Sequence, residues 1–178
     1  MALVFPDFLR VSVSLWWTAV IELPIDTLQL NNEPAEANAY WPAHAALLLD
    51  SYRHWTGREL ISSETPALAL YHAPFVVLSH DTAADPRFTY ANLAAQKCFE
   101  MPWLEIVGLP SHLSAEPLAQ AERERLLARV AEQGYVDDYS GVRIASSGRR
   151  FMVRDATVWN LVDQDGKLVG QAAWFEVE

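Results

Sequence analysis

Four side chains of this sequence could contribute chemistry to a binding site. Cys98, the single cysteine, could react as a thiolate, and His112 could bind a haem iron through a neutral imidazole. Tyr139 and Trp159 could line an apolar pocket, which is the usual setting of a small-molecule site. The sequence thus predicts a ligand pocket walled by these four residues, while the identity of any cofactor stays unknown.

Each of the four residues also has a purely structural interpretation. A cysteine on a helix is usually a buried thiol, because a reactive thiol needs an accessible and electropositive environment. A lone histidine usually lies at the surface. Aromatic side chains, among them Phe88, Tyr90, Phe151 and Trp174, can fill the concave side of a sheet by themselves. In that case the protein has no pocket.

The remaining polar residues predict neither catalysis nor a metal site. His44 and His54 are ten residues apart, whereas two metal ligands on one helix need a spacing of about four. Ser79, His80 and Asp81 have the residue types of a catalytic triad, but neighbours on an extended strand point to opposite faces. The acidic pairs lie beside turns, where aspartate bonds its own backbone. We therefore expect no catalytic residue, no bound metal and no enzymatic activity.

The composition favours one acidic domain with an extension. The chain has 178 residues, 51% of them hydrophobic, and a formal net charge of −10. A surface this acidic repels phosphate backbones, so we expect no nucleic-acid partner. A single cysteine permits no intrachain disulfide and fits a cytoplasmic location. The lack of a long uncharged apolar run predicts that no segment crosses a membrane.

The basic residues of the C-terminal third are nearly all arginines, and Lys167 is the exception. Surface charges of this kind are usually solvated and weakly paired. We expect them on the outer face of the strands, paired with Asp137, Asp138 or Asp155. The arginines concerned are Arg143, Arg149, Arg150 and Arg154.

The first forty residues are predicted to form an N-terminal arm outside the domain. Residues 1–30 are apolar but interrupted by charges and prolines, and they lack the pattern of a secretory signal. They are either a genuine arm or an artefact of a start codon assigned too far upstream, with translation beginning near Leu28 or Leu30. Asn31–Asn38 has the composition of a ragged, disordered terminus.

A domain over residues 41–178 begins with a flanking helix at Trp41–Leu60. Ala45, Leu48, Leu49 and Tyr52 recur at helical spacing and form one apolar stripe. Such a stripe must be buried, either on the outside of a sheet or on a second copy of the chain. We expect the helix to serve as a homodimer or docking surface through Leu48, Leu49 and Tyr52.

Residues 74–178 are predicted to form the core of the domain. A buried strand at Phe75–Leu78 and a return strand at Phe88–Ala91 precede a helix that Asn92 caps. An amphipathic helix at Leu118–Gln133 follows and ends before a glycine.

Three C-terminal strands complete the predicted core. Asp165-Gly166 is a hairpin signal, and turns this short leave no room for a crossover, so the strands form an antiparallel meander. The fold class is α+β, with a five-stranded antiparallel sheet, short helices on one face and an N-terminal helical extension. This is the element order of PAS-like sensor domains. The alternating residues of the middle strand are expected to share one face: Phe151, Val153, Thr157, Trp159 and Leu161.

Four blocks of sequence, in order along the chain, resemble one known family. They read PFVVLSHDTAADPRFTYANLAAQ, EIVGLPSHLSAEP, AERERLLARVAEQG and RRFMVRDATVWNLVDQDGKLVGQAA. Together they resemble the MEKHLA domain, which occurs as standalone bacterial proteins and at the C-terminus of plant homeodomain–leucine-zipper factors. The resemblance covers about Trp41–Phe175 and implies a PAS-related fold, for which a role in sensing light, oxygen or redox state has been proposed. The light-sensing branch of PAS proteins carries a flavin-reactive cysteine, and the corresponding Gly108–Pro117 stretch here has none.

Three functions from different classes remain open on the sequence. The first is a PAS-like sensory module that binds a small ligand or a protein partner and signals in trans. The second is a ligand-free interaction or dimerisation scaffold whose cavity is filled by its own aromatic side chains. The third, which has the least support, is a small enzyme that uses the cavity.

Overall fold

The protein folds around one antiparallel sheet of five strands. A computed structural model describes residues 32–115 and 120–177. The strands lie in the order β2-β1-β5-β4-β3, and every neighbouring pair is antiparallel, which confirms the predicted α+β class. The strand bounds are β1 Val76–His80, β2 Phe88–Ala91, β3 Tyr135–Ile144, β4 Arg150–Val162 and β5 Leu168–Phe175.

Helices cover both faces of the sheet. Gly57 ends α1 with a φ of 69° and donates its N–H to the Arg53 carbonyl at 2.9 Å. Asn92 caps α3 as predicted, because its side-chain oxygen accepts the Ala95 N–H at 3.0 Å. The α-helices are α1 Pro42–Thr56, α2 Pro66–Tyr71, α3 Leu93–Phe99, α4 Trp103–Ile106 and α5 Gln120–Gln133, and 3₁₀ turns lie at Glu36–Asn38 and Ser111–Ser114.

The C-terminal meander has the connections that the sequence predicts. Gly148 and Gly166 both adopt positive φ angles, of 85° and 75°, which a side chain would disfavour. Asp163 donates its N–H to the Lys167 carbonyl at 3.0 Å, closing the predicted hairpin between β4 and β5. Strands β3, β4 and β5 therefore follow one another without a crossover.

Helix α1 packs on the sheet of its own chain. Leu48 and Tyr52 are 0% and 3% exposed, and the Tyr52 ring meets Trp159 of β4 edge-on at 5.2 Å. The Trp159 indole donates to the Leu48 carbonyl at 3.3 Å, and Ser51 hydrogen-bonds the backbone of Val162. The predicted homodimer surface is therefore corrected at Leu48 and Tyr52, because the chain's own sheet covers them, and Leu49 alone of the three is only half-buried.

The residues just before α1 also differ from the prediction of a disordered terminus. Asn38 accepts the Ala35 N–H at 2.8 Å and donates to the Glu33 carbonyl at 2.8 Å, and Pro34 is buried. The Glu33 carboxylate accepts hydrogen bonds from the Tyr71 hydroxyl and from the Gln96 amide. Residues 33–40 thus belong to the folded unit, whereas the two interpretations of residues 1–30 concern a segment outside the described residues.

Candidate ligand cavity

An apolar cavity lies between the sheet and the helix that precedes β3. The sheet face opposite α1 forms its floor, and α5 and the 3₁₀ turn Ser111–Ser114 close it. Its volume is about 60 Å³, room for about two water molecules at about 30 Å³ each. The apolar walls come from Leu78, Phe88, Phe99, Leu126, Leu127, Val153, Val158 and Phe175.

Two buried amides attach α5 to the sheet. Asn160 of β4 and Gln171 of β5 face each other in register, and the Gln171 amide donates to the Asn160 side-chain oxygen at 3.0 Å. The Asn160 amide donates to the Val130 carbonyl at 2.9 Å, and the Gln171 amide donates to the Leu127 carbonyl at 3.1 Å. We call this pair of side chains the amide clasp. It holds the last turns of α5 over the cavity by hydrogen bonds.

Three further polar side chains at the cavity contact nearby carbonyls. Ser111 donates its hydroxyl hydrogen to the Pro86 carbonyl at 2.8 Å, and Ser114 donates to the Ser111 carbonyl at 2.7 Å. His80 is 8% exposed, and its Nδ1 lies 2.8 Å from the Asp81 carbonyl. A carbonyl can only accept, so this contact places a hydrogen on Nδ1.

Tyr139 and Arg143 of β3 form the rim of the cavity. The Tyr139 ring lies along the strand over Gly141, so that a Cβ atom at position 141 would overlap the tyrosine hydroxyl. Arg143 stacks on this ring, with its guanidinium carbon 5.2 Å from the ring centre. Arg143 pairs in register with Phe151, whose ring packs in the core, so both side chains are on the cavity side of the sheet.

This placement of Arg143 corrects the expectation of an arginine on the outer face. Two of the three acidic residues expected beside it pair elsewhere. Arg58 contacts Asp137 at 2.6 Å, and Arg129 contacts Asp138 at 3.8 Å. Among the described residues, no carboxylate lies within 4.0 Å of the Arg143 guanidinium.

Tyr139 is one of the four predicted pocket residues, and it lines the cavity. Trp159 does not, because it lies on the opposite face against α1. Asp155 causes the difference. It adopts a φ of 48° where β4 bulges against β3, so Val153 and Ala156 both face the cavity and Thr157, Trp159 and Leu161 face away. The prediction that these residues share the face of Phe151 is corrected.

The other two predicted pocket residues lie apart from the cavity. His112 is half-exposed, and its Nδ1 lies 2.9 Å from the Asp85 carboxylate at the surface. Cys98 is 7% exposed and packs in the core below α3, where Arg149 donates to its carbonyl at 2.6 Å. Burial raises the pKa of the Cys98 thiol, and the nearby Arg149 opposes that rise only in part. The structure therefore brings Tyr139 alone of the four to this cavity, whereas Cys98 lines a separate cleft beside α3.

A serine–histidine pair that the sequence did not reveal lies on the other face of the sheet. His44 of α1 places its Nε2 3.2 Å from the Ser79 hydroxyl, which also contacts the Thr89 hydroxyl at 2.9 Å. Ser79 is 0% exposed beneath α1. A nucleophile must reach its substrate, so the pair is structural.

The part of the chain that the structure describes contains no group of three or more histidine, cysteine or acidic side chains arranged to hold a metal ion. Within the same residues, no helix is long and apolar enough to cross a membrane.

The fold is that of the PAS class. The chain matches the PAS domain of a protein from Colwellia psychrerythraea with a TM-score of 0.52 and 13% identity, over 61% of this chain and 89% of that one. It matches the light-state dimer of the fungal blue-light photoreceptor Vivid with a TM-score of 0.54 and 14% identity, over 75% of this chain and 92% of that one. Identities this low establish the shared fold alone.

Sequence comparison then gives the family, as the resemblance implied. The MEKHLA domain matches residues 42–177, and the chain belongs to the MEKHLA domain family. The homeobox-leucine zipper protein ATHB-9 of Arabidopsis thaliana is 32% identical over 87 residues, which are 47% of this chain and 10% of that protein. The chain thus spans about a tenth of the length of this plant relative.

Proposed function

We propose that this domain is a sensory module that binds a small molecule in the cavity and signals to a partner through the position of α5. One observation carries the proposal. The cavity is apolar and incompletely filled, and the helix that closes it is attached to the sheet through the amide clasp of Asn160 and Gln171. A ligand larger than the present volume must move α5, and that movement is the signal.

The energetics of the clasp suit such a movement. A hydrogen bond of this kind contributes about 0.5–1.5 kcal/mol net, so the two shorter bonds from the clasp to α5 contribute about 1–3 kcal/mol. A third bond, from the Asn160 amide to the Ala131 carbonyl, is long at 3.5 Å. A ligand needs only a modest difference in affinity between two positions of α5 to shift their populations. The clasp therefore holds the helix without locking it.

The same geometry supports a non-catalytic role. The two serine hydroxyls and the His80 Nδ1 at the cavity are bonded to backbone carbonyls, and the Ser79–His44 pair is buried on the other face. No nucleophile with an adjacent base faces the cavity among the described residues. Binding without turnover is the function that fits these side chains.

The first test is to ask whether the protein carries a small molecule. The protein is purified from its own host, its absorption spectrum is recorded, and the material released by acid is identified by mass spectrometry. We expect a stoichiometric small molecule. Ala156→Leu is the control, because Ala156 is 1% exposed at the cavity and a larger side chain there fills the space.

A ligand-free interaction scaffold is the second candidate. The small volume favours it, because small-molecule pockets usually span about 300–1,000 Å³. Aromatic side chains of the domain take up much of the space on the cavity face of the sheet, namely Phe88, Phe99, Phe151 and Phe175. A featureless spectrum with nothing released from either the native protein or Ala156→Leu would support the scaffold instead.

A further inference from the structure

We propose that the ligand of the cavity is a small monocarboxylate, whose carboxylate Arg143 binds and whose apolar body enters beneath α5. This inference rests on the proposed function, since it names the chemical class of the ligand. The charge around the cavity is its first support. The chain has a net charge of −10, yet the described residues that line the cavity include the cation Arg143 and no acidic side chain.

The hydrogen bonds made by the described residues around the cavity point to Arg143 as the recognition group. Both amide hydrogens of Gln171 go to protein oxygens, and so do the hydroxyl hydrogens of Ser111 and Ser114. A guanidinium has five N–H donors, and within the part of the chain that the structure describes Arg143 uses one of them, from Nη1 to the Val142 carbonyl at 3.1 Å. The donors that remain are available to an anion.

The neighbouring residues fix the direction of the guanidinium. Tyr139 lies flat over Gly141, and its ring supports Arg143 from one side. The Tyr139 hydroxyl has no hydrogen-bond partner among the described residues and adds a donor beside the arginine. Stacking on the ring limits the rotamers of Arg143, which lowers the entropy lost when it binds an anion.

The single guanidinium at the cavity determines which class of anionic ligand can bind there. A single guanidinium matches a single carboxylate with two parallel hydrogen bonds. A phosphate or a dicarboxylate would bring a second negative charge into apolar walls, where an unpaired charge is costly. The cavity floor consists of aliphatic and aromatic side chains, so the rest of the ligand is apolar.

The cavity volume limits the size of that apolar body. About 60 Å³ admits only a few carbon atoms, and a longer chain has to displace α5. We therefore use a short probe and its neutral isostere, butyrate and butyramide. The two differ in charge while keeping nearly the same shape.

The experiment titrates both probes into the full chain and follows backbone amide shifts by NMR at constant sodium concentration. We expect butyrate, but not butyramide, to shift residues around Arg143 and the cavity. Arg143→Gln should weaken butyrate binding about tenfold or more. Arg143→Lys keeps the charge but loses the paired N–H donors of the guanidinium, so its affinity for butyrate should lie between those of the native protein and Arg143→Gln. Arg53→Gln is the matched control, since Arg53 is an exposed arginine on α1 and its loss should change nothing.

Equal binding of the two probes, or full butyrate binding by Arg143→Gln, would overturn the carboxylate class. Release of a neutral molecule from the host-purified protein would also overturn the carboxylate class, but the proposed sensory function would then stand. If butyrate causes no shifts and the host-purified protein releases nothing, both proposals fail. The two failures are therefore distinguishable.

Discussion

The two faces of the sheet are closed in different ways. On one face, α1 packs directly on Trp159, and hydrogen bonds from Trp55 and Ser51 to strand carbonyls add to the contact. On the other face, α5 leaves a cavity of about 60 Å³ and is attached through the amide clasp. The α1 face is thus closed by direct packing, whereas the α5 face combines the apolar packing of Leu126 and Val130 on the sheet with a void and the polar clasp.

This difference separates a structural face from an adjustable one. Tight apolar packing resists small movements, because every contact is lost when a side chain shifts. A helix next to a void, held by a small apolar cluster and a few hydrogen bonds, can shift at lower cost. If the domain is a sensor, the signal should therefore pass through α5 while α1 stays in place.

The largest effect is expected when a charge is placed under α1. Leu48→Asp should destabilise the protein by more than about 4 kcal/mol and leave it largely unfolded, because Leu48 is fully buried against the sheet. Far-UV circular dichroism and urea denaturation measure this. Leu49→Asp is the control, since Leu49 is only half-buried and the variant should stay folded. If the Leu48→Asp variant folded but self-associated less than the native protein, that result would support a homodimer surface on α1 after all.

The sequence could predict most of the elements but not the partner of α1. Its apolar stripe required burial, and the period of two required strands, so element order and caps such as Asn92 and Gly57 followed from local rules. The stripe itself does not say what covers it. Only the three-dimensional packing shows that Trp159 and Leu161 of β4 lie beneath α1.

The candidate site was less predictable than the fold, for a specific physical reason. Strict alternation along β4 would put Trp159 on the face of Phe151, and the bulge at Asp155 reverses this. The sequence does contain one signal for the amide clasp. Asn160 is a polar residue inside an apolar strand, and a buried amide there needs partners from another element. Arg143 carries no such signal, because a surface arginine and a cavity arginine look alike in sequence.

A matched pair of leucines compares the two faces without introducing charge. Leu48→Ala should cost about 3–5 kcal/mol, and Leu126→Ala on α5 nearer 2 kcal/mol, since Leu126 already borders a void and α5 can settle inward. Urea denaturation of both variants gives the two free energies of unfolding. Equal costs, or a larger cost for Leu126→Ala, would remove the distinction between the faces.

A matched pair of glycines sharpens the comparison further. Gly134→Ala should cost about 2 kcal/mol or more, because Gly134 has a φ of 91° and a Cβ atom would overlap the indole ring of Trp55 from α1. Gly141→Ala should cost less than about 1 kcal/mol, since its Cβ meets only the movable end of Tyr139. Thermal unfolding of both variants provides the measurement. A Gly141→Ala variant as unstable as Gly134→Ala would mean that the rim is as rigid as the α1 face.

The effect on stability expected at the amide clasp is modest, and it should be local. Gln171→Leu removes the bond to the Leu127 carbonyl and one partner of Asn160, at a cost of about 1–2 kcal/mol. Hydrogen exchange measured by mass spectrometry should then speed up in α5 and remain unchanged in α1, because α5 is the only helix to which a lost bond is made. Leu161→Met, a volume-conserving change beneath α1, is the control and should alter neither helix. Faster exchange in both helices of Gln171→Leu would show that they open as one unit, and a signal passed by α5 alone would then be untenable.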